Sequence, residues 1–199
     1  MKILAFDTAV SGCTVVVVDT VAGASWTEQV ITDRRQAEIL VPMIESVMRQ
    51  AGMEFAELDR IAVTVGPGSF TGVRIGLSTA RALALAAEKP LIGVTTLEVL
   101  AAMSATLPVL ALVDTKRNDF YGGSFGPGGV SLEAARIWSS DEVDAARLAG
   151  TYTLIQETPD AVVLARLAAE RMVSGAEIVP VYLREAEVSV SKRIAPVAV

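Results

Sequence analysis

Apolar residues open the chain in three short runs, 2–7 (KILAFD), 13–18 (CTVVVV) and 24–31 (ASWTEQVI). They are rich in β-branched and aromatic residues and separated by Gly, Ser and Asp, a pattern that predicts a three-strand meander. The spacing then changes from two to between three and four. In RRQAEILVPMIESVMRQAG, Ala37, Leu40, Val41, Ile44, Val47, Met48 and Ala51 recur at helical intervals, closed by Gly52. Pro42 interrupts the run, at the cost of a kink rather than of the helix. RIAVTV at 60–65 reads as a buried strand, VRIGLSTARALALAAEK as a second helix, PLIGVT at 90–95 as a strand and TLEVLAAMSA as a third helix.

After Pro108 the order begins again. VLALVDT at 109–115 echoes ILAFDT at 3–8, and DFYGGSF and GVSLEAARIW follow as strands. SSDEVDAARLA reads as a helix opened by a serine cap, YTLIQ as a strand, and PDAVVLARLAAERMVSG as a helix beginning at proline and closing on glycine. Each half runs strand, strand, strand, helix, strand, helix. Two βββαβα lobes side by side define an α/β architecture of the actin-like ATPase and sugar-kinase (ASKHA) type, the second lobe abbreviated. The division falls into a lobe at 1–105, carrying the long helices, and a lobe with tail at 106–199. The alternative is one mixed α/β domain with accidental internal similarity.

The two long helices carry more apolar surface than one sheet can cover. Gly72, Gly76, Ala80 and Ala84 form a small-residue ridge, while Val73, Ile75, Leu77, Ala82, Leu83, Leu85, Ala86 and Ala87 make that helix apolar nearly all round. On the preceding helix, Ile39 and Met43 lie off the stripe of Leu40, Ile44 and Val47. A partner's helices completing a bundle would use this surplus, with Gln36, Ile39, Leu40, Met43, Ile44, Val47, Gly72, Val73, Gly76, Ala80, Leu83 and Ala84 as the contact. The competing cover is the second lobe or the C-terminal segment. Without a partner the same helices would self-associate, giving a homodimer.

Composition narrows the chemistry. The 199 residues contain no histidine, which removes Ser-His-Asp and Cys-His nucleophile activation and the imidazole ligands of most hydrolytic zinc sites. A single cysteine, Cys13, rules out an internal disulfide and reads as a strand residue. The net charge of −6 argues against gripping nucleic acid unaided. No apolar run reaches membrane-spanning length, and no signal-peptide pattern opens the chain, so a cytoplasmic location is expected.

The stretch VGPGSFTGVRIG suggests a phosphate cradle but fits no phosphate motif. Gly72 is followed by Val73 and Arg74 where a Walker loop needs Lys and Ser/Thr, and Gly66, Gly68 and Gly72 follow GxGxxxG rather than the dinucleotide GxGxxG. What survives is a strand turning through glycines into a helix whose N-terminus favours anions, or a plain tight turn capped by Ser69 or Thr71.

ILAFDTA, GPGSFTGVRIG (Gly66, Pro67, Gly68, Ser69, Phe70, Thr71 and Arg74 among its residues), LALVDTKRNDFY with Arg117 and Tyr121, and PVYLR with Tyr182 and Arg184 together resemble the TsaB, or YeaZ, family. The resemblance implies the dimerization subunit of the bacterial machinery that makes threonylcarbamoyladenosine in tRNA. It implies an actin-like fold and pairing through the N-lobe helices with TsaD, the catalytic subunit, which modifies the adenosine next to the anticodon of tRNAs reading codons that begin with A. It further implies that the ATPase TsaE joins the assembly and that tRNA is met only through the complex, with no membrane. TsaD-like proteins carry an HxxxH metal motif on the first long helix; the matching stretch holds Gln36 and Leu40, so no metal is expected. Asp7 and Thr8 sit where actin-like ATPases place a carboxylate facing phosphate or magnesium, with Asp114 and Thr115 as counterparts in the second lobe. In this family that cleft is regarded as degenerate, so the resemblance implies no cofactor and no catalytic residue. The rival reading is an ATP-dependent phosphotransferase using Asp7 and Asp114.

Overall fold

A computed structural model describes residues 1–32 and 34–184. Two sheets organise it. The first has the order β3-β2-β1-β4-β5, built from β1 (Lys2–Asp7), β2 (Cys13–Asp19), β3 (Ala24–Val30), β4 (Arg60–Thr64) and β5 (Leu91–Val94). β1, β2 and β3 pair antiparallel as a meander, and β4 and β5 join parallel after helical crossovers. The second sheet has the order β8-β7-β6-β9, from β6 (Val109–Asp114), β7 (Asp119–Phe125), β8 (Arg136–Ser139) and β9 (Thr153–Ile155). The helices are α1 (Gln36–Ala51), α2 (Phe70–Ala87), α3 (Thr96–Ala102), α4 (Ser140–Ala149) and α5 (Ala161–Glu170).

The alternation in β1 explains how the first sheet is covered. Leu4 and Phe6 join the cluster under α1 and α2, whereas Ile3 and Ala5 point the other way into a second cluster. That second cluster is closed by Ala161, Leu164, Ala165 and Ala168 of α5, a helix from the second half of the chain. α3, from the first half, lays Leu97, Leu100 and Ala101 on Val109, Ala111 and Val113 of the second sheet. The halves read from sequence therefore exchange helices, each sheet being covered partly by the other half's helix. Arg60 secures the exchange, its Nη1 donating to the Ala168 carbonyl at 2.6 Å and the Arg171 carbonyl at 2.9 Å.

Several boundaries differ from expectation. α2 begins at Phe70, three residues before the apolar run, because Ser69 Oγ accepts from the Gly72 amide and caps it. Of the strand expected over 129–138, only Arg136–Ser139 forms; Gly128 and Gly129 take positive φ and break the extended backbone before it. The α1 stripe is rotated as well. Gln36, Leu40, Met43, Ile44, Val47 and Met48 are buried, while Ala37 lies exposed and Val41 is 45% exposed. Apolar residues at 39–41 and at 43–44 make either face look hydrophobic, and only the position of the sheet selects one.

Candidate functional site

The glycine motif is built against the turn after β1. A Cβ at Gly68 would lie 2.2 Å from the Ala9 carbonyl oxygen, and one at Gly72 would lie 2.0 Å from that of Thr8. The Ser69 amide donates to the Ala9 carbonyl at 2.7 Å, and Thr8 Oγ1 donates to the Gly72 carbonyl at 2.7 Å. Gly66 holds φ +91, and a Cβ there would meet the Val181 carbonyl at 2.8 Å. The glycines thus let protein backbone approach protein backbone, and the Ser69 amide and the Thr8 hydroxyl are spent inside the lobe.

Asp7 is 1% exposed at the end of β1. Its Oδ1 accepts from the Ala9 amide at 3.1 Å and from the Thr64 hydroxyl. Burial raises its carboxyl above the ordinary carboxylate range, and the bonds from Thr64, Ala9 and Val10 offset only part of that rise. Burial and the nearby Asp7 charge push the Cys13 thiol up to about 11. A raised carboxyl means that the folded state holds the proton more tightly than the unfolded chain. Asp7 therefore withdraws stability as pH rises from the unfolded value through the folded one, and leaves it untouched below both. Asp7→Asn, which keeps the acceptor for Ala9, should flatten this fall in urea melts between pH 4 and 8; an unchanged pH profile would assign the dependence to other groups.

Between the sheets lies a cavity of about 1080 Å³. Ala9, Ser11 and Gln36 line it from the first lobe together with 67–70 of the glycine motif; Asp114, Lys116, Arg117 and Tyr121 line it from the second; Tyr182 and Arg184 close it. Asp7 and Thr8 are not among its lining residues. Asp114 accepts from the Lys116 amide at 2.6 Å and pairs with its ammonium at 3.2 Å. Asp7 and Asp114 thus do not meet as two carboxylates across the cleft. Among the described residues no cluster of three His, Cys, Asp or Glu side chains could hold a metal.

Three motifs distant in sequence converge on the cavity rim. Arg74 stacks over the Phe70 ring at 4.0 Å, and its Nε donates to the Tyr182 hydroxyl at 3.2 Å, with the Phe70 and Tyr182 rings 5.1 Å apart. Arg184 pairs with Asp119 at 2.5 Å and lies 6.0 Å from the Tyr121 ring centre. Bonds from Thr115 and Arg184 hold the Asp119 carboxyl below its ordinary value. Asp119 lies within LALVDTKRNDFY but is not singled out there, and Thr64, which holds Asp7, carries no motif signal of its own.

The small-residue ridge of α2 faces inward. Gly72, Val73, Gly76, Ala80 and Ala84 are buried in the chain itself, as are Gln36, Leu40, Met43, Ile44 and Val47, leaving Ile39 and Leu83 partly accessible. The apolar residues in solvent are others: Leu85 at 83% exposure, Val41 at 45% and Phe70 at 39%, with Ala82 and Ala86 beside Leu85.

The strand order, the parallel crossovers and the interlobe cavity define an actin-like two-lobed protein. The match of its sequence to a family model described as "TsaD: tRNA N6-adenosine threonylcarbamoyltransferase", over residues 28–189, places the chain in the TsaD family. It is 32% identical over 155 residues to the Escherichia coli "tRNA threonylcarbamoyladenosine biosynthesis protein TsaB", covering 73% of this chain and 62% of that protein. It is also 54% identical over 68 residues to a tRNA N6-adenosine threonylcarbamoyltransferase of Erythrobacter litoralis, 34% of this chain and 20% of that one. The chain therefore spans under two thirds of these relatives. The solved structure of YeaZ from Pseudomonas aeruginosa shares the fold, with TM-score 0.73 and 24% identity over 92% of this chain and 99% of that one. A second Pseudomonas aeruginosa structure, described as similar to peptidase YEAZ, superposes with TM-score 0.77 at 24% identity over 92% of this chain and 99% of its own. No helix among the described residues is long and apolar enough to cross a membrane.

Proposed function

We propose that the chain is a non-catalytic subunit of the machinery that makes threonylcarbamoyladenosine in tRNA. It pairs with a TsaD-type transferase through α1 and α2, joins a TsaE-type ATPase in the larger assembly and meets tRNA only through the complex. The observation that carries this reading is the division of labour at the glycine motif. Gly68, Gly72 and Asp7 are consumed by their own lobe, while the helix the motif opens presents Leu85, Ala82 and Ala86 to solvent and α1 presents Val41. The resemblance sets Gln36 and Leu40 against the two imidazoles of the TsaD-like HxxxH motif, and histidine is absent from the chain.

The docking surface is then the outward face of the two helices rather than the buried ridge, with Arg74 and Arg81 as a charged rim. A charge at Ile44 or Ala80 would test the core, since both are buried. Leu85→Glu and Val41→Glu avoid that. Each should leave the melting temperature of the isolated chain unchanged and reduce co-purification with the transferase at least tenfold, with a parallel fall in modified tRNA measured by mass spectrometry. In isolation the same face makes a homodimer, and Leu85→Glu should yield a monomer by light scattering. Full complex formation by both variants would sink the assignment of this face.

The cavity supports a second reading, an ATP-dependent phosphotransferase, because Asp114, Lys116 and Arg117 line it. Calorimetry with ATP and magnesium separates the two. Stoichiometric binding to the isolated chain, together with lost modification by Asp7→Asn in an intact complex, would favour the phosphotransferase.

A further inference from the structure

After α5 a segment without helix or strand, 176–184, touches both lobes. On the first lobe the Val181 amide donates to the Val65 carbonyl at 2.7 Å, Arg81 Nη2 donates to the Ile178 carbonyl at 2.6 Å, and Ile178 packs in the space left by Gly93. Arg74 and Phe70 hold Tyr182 as described above. Two residues later Arg184 crosses the cavity mouth to Asp119, at the start of β7 in the second lobe. Both members of that pair keep less than a quarter of their side-chain surface, 24% for Arg184 and 22% for Asp119. Asp119 is further oriented by the Thr115 hydroxyl, so the acceptor is fixed before Arg184 arrives.

We propose that 176–184 is a strap that sets the opening of the interlobe cleft, with Arg184–Asp119 as its fastening on the second lobe. The helix exchange joins the lobes through α3 and α5, neither of which lines the cavity. At the mouth the strap supplies a bridge whose first-lobe end is anchored to the Val65 carbonyl and to Arg74 and Arg81 of α2. Charge-assisted bonds between partly buried groups are strong enough to bias a two-state opening without being essential to the fold.

Hydrogen–deuterium exchange on the full chain tests this. Arg184→Ala should raise exchange roughly three- to tenfold in peptides covering 115–121 and 176–184, and leave those from β1, β2 and α1 as in the parent. Arg184→Lys, which keeps the charge but not the planar fork, should fall between. Tyr182→Phe, which removes only the hydroxyl that Arg74 reaches, should raise exchange in 176–184 with little change at 115–121. Unchanged exchange at 115–121 in Arg184→Ala would overturn the proposal. An equal rise throughout the chain would overturn it too, since it would mark Arg184 as a general stability residue.

Discussion

Gly72→Ala is expected to lower the unfolding free energy by roughly 3 kcal/mol. The new methyl would sit 2.0 Å from the Thr8 carbonyl oxygen and 3.1 Å from its carbon. Both are backbone atoms at the end of a buried strand, so neither can swing aside. The capped first turn of α2 or the β1–β2 turn must shift, and with it the bond from Thr8 Oγ1 to the Gly72 carbonyl. Gly76→Ala offers the graded comparison. Its methyl would meet Thr8 Oγ1 at 2.5 Å, a side-chain atom that can rotate at the cost of that same bond, so a loss of about 1 kcal/mol is expected. Gly175→Ala, with nothing within 4 Å, should be neutral. Urea midpoints at constant slope would rank the three, and a loss below about 1 kcal/mol for Gly72→Ala would show that the turn yields freely.

Leu164→Ala should cost about 3 kcal/mol, lowering the melting temperature by roughly 6–12 °C. Leu164 is fully buried in the first turn of α5, in one cluster with Ile3, Ala5, Ala62 and Ile92 of the first sheet. Because α5 belongs to the second half of the chain, the consequence should reach beyond its own cluster. The two tryptophans, Trp26 on β3 and Trp138 on β8, place one fluorophore in each sheet. Single-tryptophan variants of the Leu164→Ala protein should show both transitions moving down together. If only the Trp26 transition moves, the lobes unfold independently and the helix exchange does not couple them.

The exposed-helix, Asp7 and strap experiments address function, whereas these two address the frame that positions it. The glycine substitution connects the two sets. A phosphate loop needs open space at its glycines, and here the space beside Gly68 and Gly72 is filled by Ala9 and Thr8. A motif that looks like a ligand cradle can thus serve as a packing device, and only the identity of its neighbour tells the two apart.

Much of this protein follows from local rules. The β-branched runs, the capped helices and the glycine and proline punctuation predict the element order and the repeated βββαβα plan, because strand and helix periods are properties of short stretches. Histidine's absence restricts the chemistry without any coordinates. Other features depend on which segments meet in space. The face of α1 that is buried, the inward turn of the α2 ridge and the exchange of α3 and α5 between sheets are decided by where the sheets lie. The same holds for Asp7, which reads as a candidate cleft carboxylate and is sealed by Thr64, 57 residues away, and for the strap, where Tyr182 finds Arg74 across 108 residues. Sequence determined the elements and the excluded chemistries; tertiary packing decided which side chains remain available, because availability is set by contacts between residues that no local period relates.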